Sequence, residues 1–256
     1  MKRKPSLTLC FVFWLFTSSQ TFAAAFTVEN VSKLPIHSVE HSNSKANMIA
    51  IIGGKGLKNK KGKSKNYIVK QRDIFTKSEL NYYLFPNSSR EENASYPQRA
   101  SKKRSDRILA LVEAIAERNS LPTYLVGFSR GSVDAGGFAK RYPKTIQGIV
   151  LASGVYKNYS KKAQEYSMEK IIGAEINTAV LIVHHKKDKC KVTRFNYAQD
   201  FAKSLNSPKK HFLFYDEGQA SGRNCGPLHY HGFEAIEEKV ANDIAEWIIS
   251  DANSKK

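Results

Sequence analysis

Residues 124–131 read Tyr124-Leu125-Val126-Gly127-Phe128-Ser129-Arg130-Gly131, an apolar run that ends in a serine with a glycine two positions to either side. That spacing suits a tight strand-to-helix turn. Bulky side chains at 127 and 131 would collide with the neighbouring backbone, and the turn pushes the Ser129 hydroxyl out of the sheet, within reach of a histidine. The same five residues also fit an ordinary Gly-bounded turn, so the reading depends on the partners that the rest of the chain supplies.

Outward from this turn, short apolar runs alternate with amphipathic stretches. Ala46–Ile52, Leu80–Phe85, Leu121–Val126, Ile146–Ala152, Thr178–His184 and His211–Tyr215 read as strands. Arg104–Arg118, Ser129–Arg141, Val192–Leu205 and Phe233–Ile249 read as helices. The first has Ile108, Leu111, Val112 and Ile115 on one face, and the last has a stripe of Ile236, Val240, Ile244, Trp247 and Ile248. Strand–helix alternation with continuous apolar strands predicts an α/β fold, a mostly parallel central sheet covered by helices on both faces. Lys55–Lys65 is a Gly/Lys-rich loop, and Asn87–Ser105 is a polar, charged segment. About 25 residues separate the strand at 146–152 from the one at 178, which is too few for a large lid. The chain shows no internal repeat.

A serine nucleophile needs a base, and the base needs an orienting carboxylate. Asp188 follows the strand Thr178–His184 by a few residues, at the sheet edge where ligands bind. Asp216, after the strand His211–Tyr215, is the competing acid. His229 and His231 stand just before the last helix, in Pro227-Leu228-His229-Tyr230-His231-Gly232-Phe233. The order Ser…Asp…His differs from the two other common serine-protease orders. An oxyanion hole needs backbone donors. Arg130 N–H follows the nucleophile, and the glycine-rich Gly53-Gly54-Lys55-Gly56 offers Lys55 N–H, with Gly54 beside it. Such donors are typically worth about 3 kcal/mol each.

With GFSRG at 127–131, VHHKKDKC at 183–190 and HGF at 231–233, the chain resembles the α/β-hydrolase superfamily, in particular its small, single-domain, exported bacterial members with little lid. The resemblance spans roughly Ala46 to Ile249. It implies Ser129 as nucleophile, Asp188 as acid and His231 as base. It favours Asp188 over Asp216, because the superfamily pattern points to the earlier strand, and His231 over His229, because His231 matches the usual position of the base. The superfamily often has a histidine where Gly53 stands here. The Arg130 side chain is expected either to pack on the surface or to hold a substrate carboxylate.

The first 25 residues read as a secretory signal peptide. Met1–Lys4 is the basic n-region, Leu7–Phe16 the apolar h-region, and cleavage is expected after Ala25, leaving 26–256 as one domain. The apolar stretch is shorter than the roughly 20 residues that a membrane-spanning helix needs. Cleavage removes Cys10 and leaves Cys190 and Cys225 as a pair in an oxidising compartment, periplasmic or extracellular, where a disulfide is expected. It would tie the acid loop to the histidine loop.

The chain has 41 Lys+Arg against 23 Asp+Glu, formally +18, and loss of Lys2, Arg3 and Lys4 lowers this to about +15. Such charge suits an anionic surface or polymer as partner, although most of these lysines are expected on loops and solvated faces. Gly56–Ser64 looks like a phosphate-binding loop but has five residues between its glycines where the motif needs four. No nucleotide, other cofactor or metal is expected. Three functions remain: a serine hydrolase of small-molecule or lipid-like esters, which leads; a non-catalytic exported binder of anionic polymers or lipids on the same fold; and a peptidase or amidase with the same triad.

Overall fold

The computed structural model describes residues 21–157, 160 and 164–254. The n- and h-regions of the expected signal peptide lie outside the described residues. Eight strands form one sheet: β1 (Thr21–Phe26), β2 (Ile36–His41), β3 (Ala46–Ile51), β4 (Leu80–Leu84), β5 (Thr123–Phe128), β6 (Gly148–Ala152), β7 (Ala179–His185) and β8 (Lys210–Tyr215). Their spatial order is β1-β2-β4-β3-β5-β6-β7-β8. From β4 to β8 all neighbours are parallel, while β1 and β2 join antiparallel at one edge. The six strands read from sequence are β3 to β8, displaced by no more than two residues at either end. The edge pair β1 and β2 was not read. Cleavage after Ala25 would remove all of β1 but Phe26 and leave β2 at the edge.

The helices are α1 (Tyr67–Lys70), α2 (Arg72–Lys77), α3 (Tyr96–Ala100), α4 (Lys102–Ala116), α5 (Gly131–Arg141), α6 (Met168–Ile171), α7 (Phe195–Ser204) and α8 (Glu237–Asn253). Strand side chains alternate between two faces, and the core divides accordingly. Ile49, Ile51, Leu125, Ile149, Leu151 and Ile182 pack with α4 (Ile108, Leu111, Ile115), α5 (Val133, Phe138) and α7 (Ala198, Phe201). Met48, Ala50, Tyr124, Val126, Val150 and Val183 pack on the opposite face with α1, α2 and the Val240–Ile244–Trp247–Ile248 stripe of α8. Every residue of β3, β4, β5, β6 and β7 is buried, which is why these strands lack a polar alternation.

The two glycines around Ser129 are forced by contact. A β-carbon on Gly127 would lie 2.4 Å from the Gly131 carbonyl oxygen, and one on Gly131 would lie 2.2 Å from the Ile51 carbonyl oxygen. Gly137, later in α5, has only Ile171 Cγ2 near it, at 3.9 Å. Gly131→Ala is therefore expected to destabilise the protein by about 3 kcal/mol or more, whereas Gly137→Ala gains about 0.5–1 kcal/mol from helix propensity. Urea unfolding of the two variants, followed by circular dichroism, checks the contrast.

Candidate active site

Ser129 stands at the top of β5 with φ of 53°. A left-handed backbone on a non-glycine residue costs about 1–3 kcal/mol, and its neighbours hold it there. Its N–H donates to the Ala152 carbonyl at 2.8 Å. Its own carbonyl accepts from the N–H of Ser132 at 3.0 Å and the hydroxyl of Ser132 at 2.7 Å.

The structure brings Ser129, His231 and Asp188 together. His231 Nε2 is 3.1 Å from Ser129 Oγ, and His231 Nδ1 is 2.9 Å from Asp188 Oδ2. With Nδ1 protonated and donating to the carboxylate, the Nε2 lone pair faces the serine hydroxyl. His231 sits in a 3₁₀ turn at Tyr230–Gly232. Gly232 is required there, because a β-carbon would meet the Pro227 carbonyl oxygen at 2.1 Å. The Ser153 hydroxyl donates to the His231 carbonyl at 2.8 Å and fixes the turn against the end of β6. Asp188 also accepts from the Cys190 N–H at 2.8 Å and the Thr193 hydroxyl at 3.0 Å. Burial works against its charge, but the adjacent His231 and the Cys190 N–H outweigh it and hold the carboxyl below the usual range. Thr193 Oγ1 also lies 3.1 Å from His231 Nδ1, bracing acid and base at once. Sequence reading missed Thr193, whose only signal is its nearness to Asp188, and Ser153, whose only signal is its place directly after a strand.

The alternatives fall elsewhere. Asp216 is exposed and pairs with Lys187 at 3.1 Å and Lys186 at 3.6 Å. His229 is buried, has no partner for Nδ1, and receives the N–H groups of Gly232 and Glu234 on its backbone carbonyl. His185 accepts from the Lys187 N–H at Nδ1 and donates from Nε2 to the Glu217 carbonyl at 2.7 Å. His184, fully buried behind Asp188, donates from Nε2 to the Thr193 carbonyl at 2.6 Å. Burial pushes its pKa down to about 4.

The loop after β3 lies against Ser129. A β-carbon on Gly53 would be 2.7 Å from Ser129 Cβ and 3.2 Å from Ser129 Oγ, so no histidine fits there. Gly54 has φ of 58°, and the Gly56 N–H closes the turn on the Gly53 carbonyl at 3.1 Å. Among the described residues, no acceptor takes the N–H of Gly54, Lys55 or Arg130. The Arg130 guanidinium lies 4.7 Å over the Tyr96 ring. No group of three or more His, Cys, Asp and Glu among the described residues is placed to hold a metal ion. Cys190 and Cys225 are joined by a disulfide, with Cα atoms 4.7 Å apart, linking the Asp188 loop to the segment that leads into His231.

No family model matches the chain, and no curated protein matches it by sequence. Solved structures match it closely in architecture. A dienelactone hydrolase from Anabaena variabilis superposes with a TM-score of 0.59 over 91% of this chain and 98% of that one, at 13% identity. The fold is that of the α/β-hydrolases. An esterase from Pyrococcus furiosus gives 0.60 over 90% of this chain and 92% of that one, at 14% identity. Oligopeptidase B from Leishmania major gives 0.62 over 93% of this chain but 37% of that one, at 12% identity. At such identities the shared property is the fold.

Two expectations follow from the site's frame. The disulfide closes a separation of 35 residues, worth roughly 3–4 kcal/mol in the chain-entropy account. Cys190→Ser with Cys225→Ser should lose about that much stability in urea. His184 is neutral when folded and takes up a proton when unfolded at pH values between about 4 and its ordinary 6.5. Its contribution is complete above pH 6.5 and is lost as the pH falls towards 4, up to about 3 kcal/mol. Unfolding free energies at pH 7, 5.5 and 4 should show this decline, and His184→Gln should flatten it.

Proposed function

We propose that this protein is an exported serine hydrolase that cleaves an ester through an acyl-enzyme intermediate. The observation that carries the reading is the continuous line Ser129 Oγ–His231 Nε2 at 3.1 Å and His231 Nδ1–Asp188 Oδ2 at 2.9 Å, built on a strained elbow. His231 Nε2 takes the hydroxyl proton as Ser129 Oγ attacks the ester carbonyl. The carbonyl π electrons move to the oxygen, which faces the N–H groups of Arg130 and of Lys55 or Gly54. As the tetrahedral centre collapses, the bond to the alkoxy group breaks and His231 returns the proton to the leaving oxygen. Water, deprotonated by His231, then attacks the acyl-enzyme carbonyl; the bond to Ser129 Oγ breaks, His231 returns the proton to Oγ, and the acid is released. Asp188 stays ionised and steadies the imidazolium.

An ester is favoured over an amide by the company the fold keeps. The dienelactone hydrolase and the esterase are matched along nearly their full lengths, whereas the peptidase is matched over a minor part of its chain. A small-molecule or lipid-like ester suits a site with only short elements, α6 and a 3₁₀ turn at Gln164–Tyr166, described between β6 and β7. Export is supported by the basic and apolar start of the sequence and by the disulfide. Among the described residues no helix is long and apolar enough to cross a membrane. The lysines of the Lys55–Lys65 loop form no ion pair among the described residues. That leaves their charge for an anionic surface or polymer near the ester.

Fluorophosphonate should label the wild-type protein and fail on Ser129→Ala. The same variant should lose at least about 10⁴-fold in kcat on p-nitrophenyl butyrate. Equal turnover by wild type and variant would refute the assignment.

A further inference from the structure

The segment Asn87–Ser105, a polar stretch by composition, delivers a buried arginine to the underside of the loop after β3. Arg99 is 0% exposed. One of its terminal nitrogens, Nη2, faces three successive carbonyls: Ile52 at 3.0 Å, Gly53 at 3.4 Å and Gly54 at 3.4 Å. Nε donates to the Ala94 carbonyl at 2.9 Å, and Nη1 pairs with the buried carboxylate of Asp134. Asp134 stands in the first turn of α5, five residues after Ser129. Arg104 pairs with its other oxygen and with Glu92, which Arg107 also holds. The next carbonyl of the loop, that of Lys55, is held by the Asn87 side-chain amide at 2.8 Å.

In a trans peptide the C=O of one residue and the N–H of the next point in opposite directions. Carbonyls drawn down onto Arg99 therefore turn the following N–H groups, those of Gly54 and Lys55, away from it. Among the described residues no acceptor takes either N–H. A flipped peptide would set a carbonyl oxygen where the negative oxygen forms and would repel it.

We propose that Arg99 is a positioning residue for the oxyanion hole. Its guanidinium fixes the carbonyls of Ile52, Gly53 and Gly54 so that the Gly54 and Lys55 amides face the developing oxyanion, and Asp134 ties that guanidinium to the helix that carries Ser129. The assignment rests on the serine-hydrolase reading above.

Arg99→Lys keeps a cation beside Asp134, but its single nitrogen there cannot also hold the carbonyls of Ile52, Gly53 and Gly54. With active sites counted by fluorophosphonate, it should lower kcat on p-nitrophenyl butyrate by about 10²-fold, leave KM within about threefold, and weaken inhibition by propylboronic acid by a factor similar to the loss in kcat/KM. The boronate forms a tetrahedral adduct on serine, so it reports the hole where ground-state binding does not. Arg107→Lys is the control. It sits in the same ion network but bonds the Val31 and Pro86 carbonyls and Glu92, so it should lower Tm while keeping kcat and boronate affinity. Arg99→Lys with kcat and boronate affinity within about threefold of wild type would overturn the proposal, as would an equal loss in Arg107→Lys. If Arg99→Lys does not fold, Arg99→Met, which leaves Asp134 paired with Arg104, is read the same way. A wild-type protein that neither turns over the ester nor is labelled at Ser129 would instead bring down the hydrolase reading itself.

Discussion

At the carboxyl ends of β3 and β5 the chain has no room for a β-carbon at Gly53 or at Gly131, and the site depends on that closeness. The sheet order runs β4-β3-β5, so the chain leaves β3 towards one side and returns on the other. Because β3 and β5 are parallel neighbours, the loops that follow them meet: Gly131 backs onto the Ile51 carbonyl and Gly53 onto Ser129. Backbone packing thus sets Ser129 against the loop after β3.

Asp188 and His231 arrive from the other half of the sheet. Ser129 donates its N–H to the end of β6, and Ser153, one residue further on, holds the His231 turn. Asp188 follows β7, the neighbour of β6. Three adjacent strand ends therefore carry the whole line from carboxylate to hydroxyl. The histidine segment is long and mostly exposed between Asp216 and Leu228, and the disulfide shortens the freedom of that segment in the unfolded chain. Thr193 then bridges Asp188 and His231 directly, so a single hydroxyl links the two ends that the disulfide brings near.

Much of this was legible because close contact restricts residue type. The glycines around Ser129, the apolar strands β3 to β8 and the α4 and α8 stripes all follow from packing rules that act locally, whereas Asp188 was preferred to Asp216 only through the family resemblance. The choice between His229 and His231 did not follow locally either, since only Tyr230 separates them and the 3₁₀ turn decides which ring faces Ser129. The edge strand β2 escaped because its burial alternates over only a few residues, and β1 lies in a stretch whose composition reads as a leader. Arg99 and Arg104 lie in a stretch that reads only as polar and charged, and nothing in the sequence singles out Arg107. Their burial depends on Asp134 and on Glu92, and neither partner is marked as buried by its own neighbours in the sequence.

A buried guanidinium–carboxylate pair is seldom the most stable way to fill a core, since desolvation offsets much of the attraction. Here an apolar substitute would fail for a second reason. Ile52 and Gly53 are buried, and of the carbonyls at 52–54 only that of Gly53 meets a backbone donor, the Gly56 N–H. Carbonyls at such a turn must find donors from elsewhere or leave the backbone unsatisfied. Arginine, with five donors on a rigid plane, can serve three carbonyls and an anchoring carboxylate at once, and lysine cannot. The requirement that the turn be hydrogen-bonded on its buried side and the requirement that it present amides on its open side are the same requirement, because one peptide plane carries both groups.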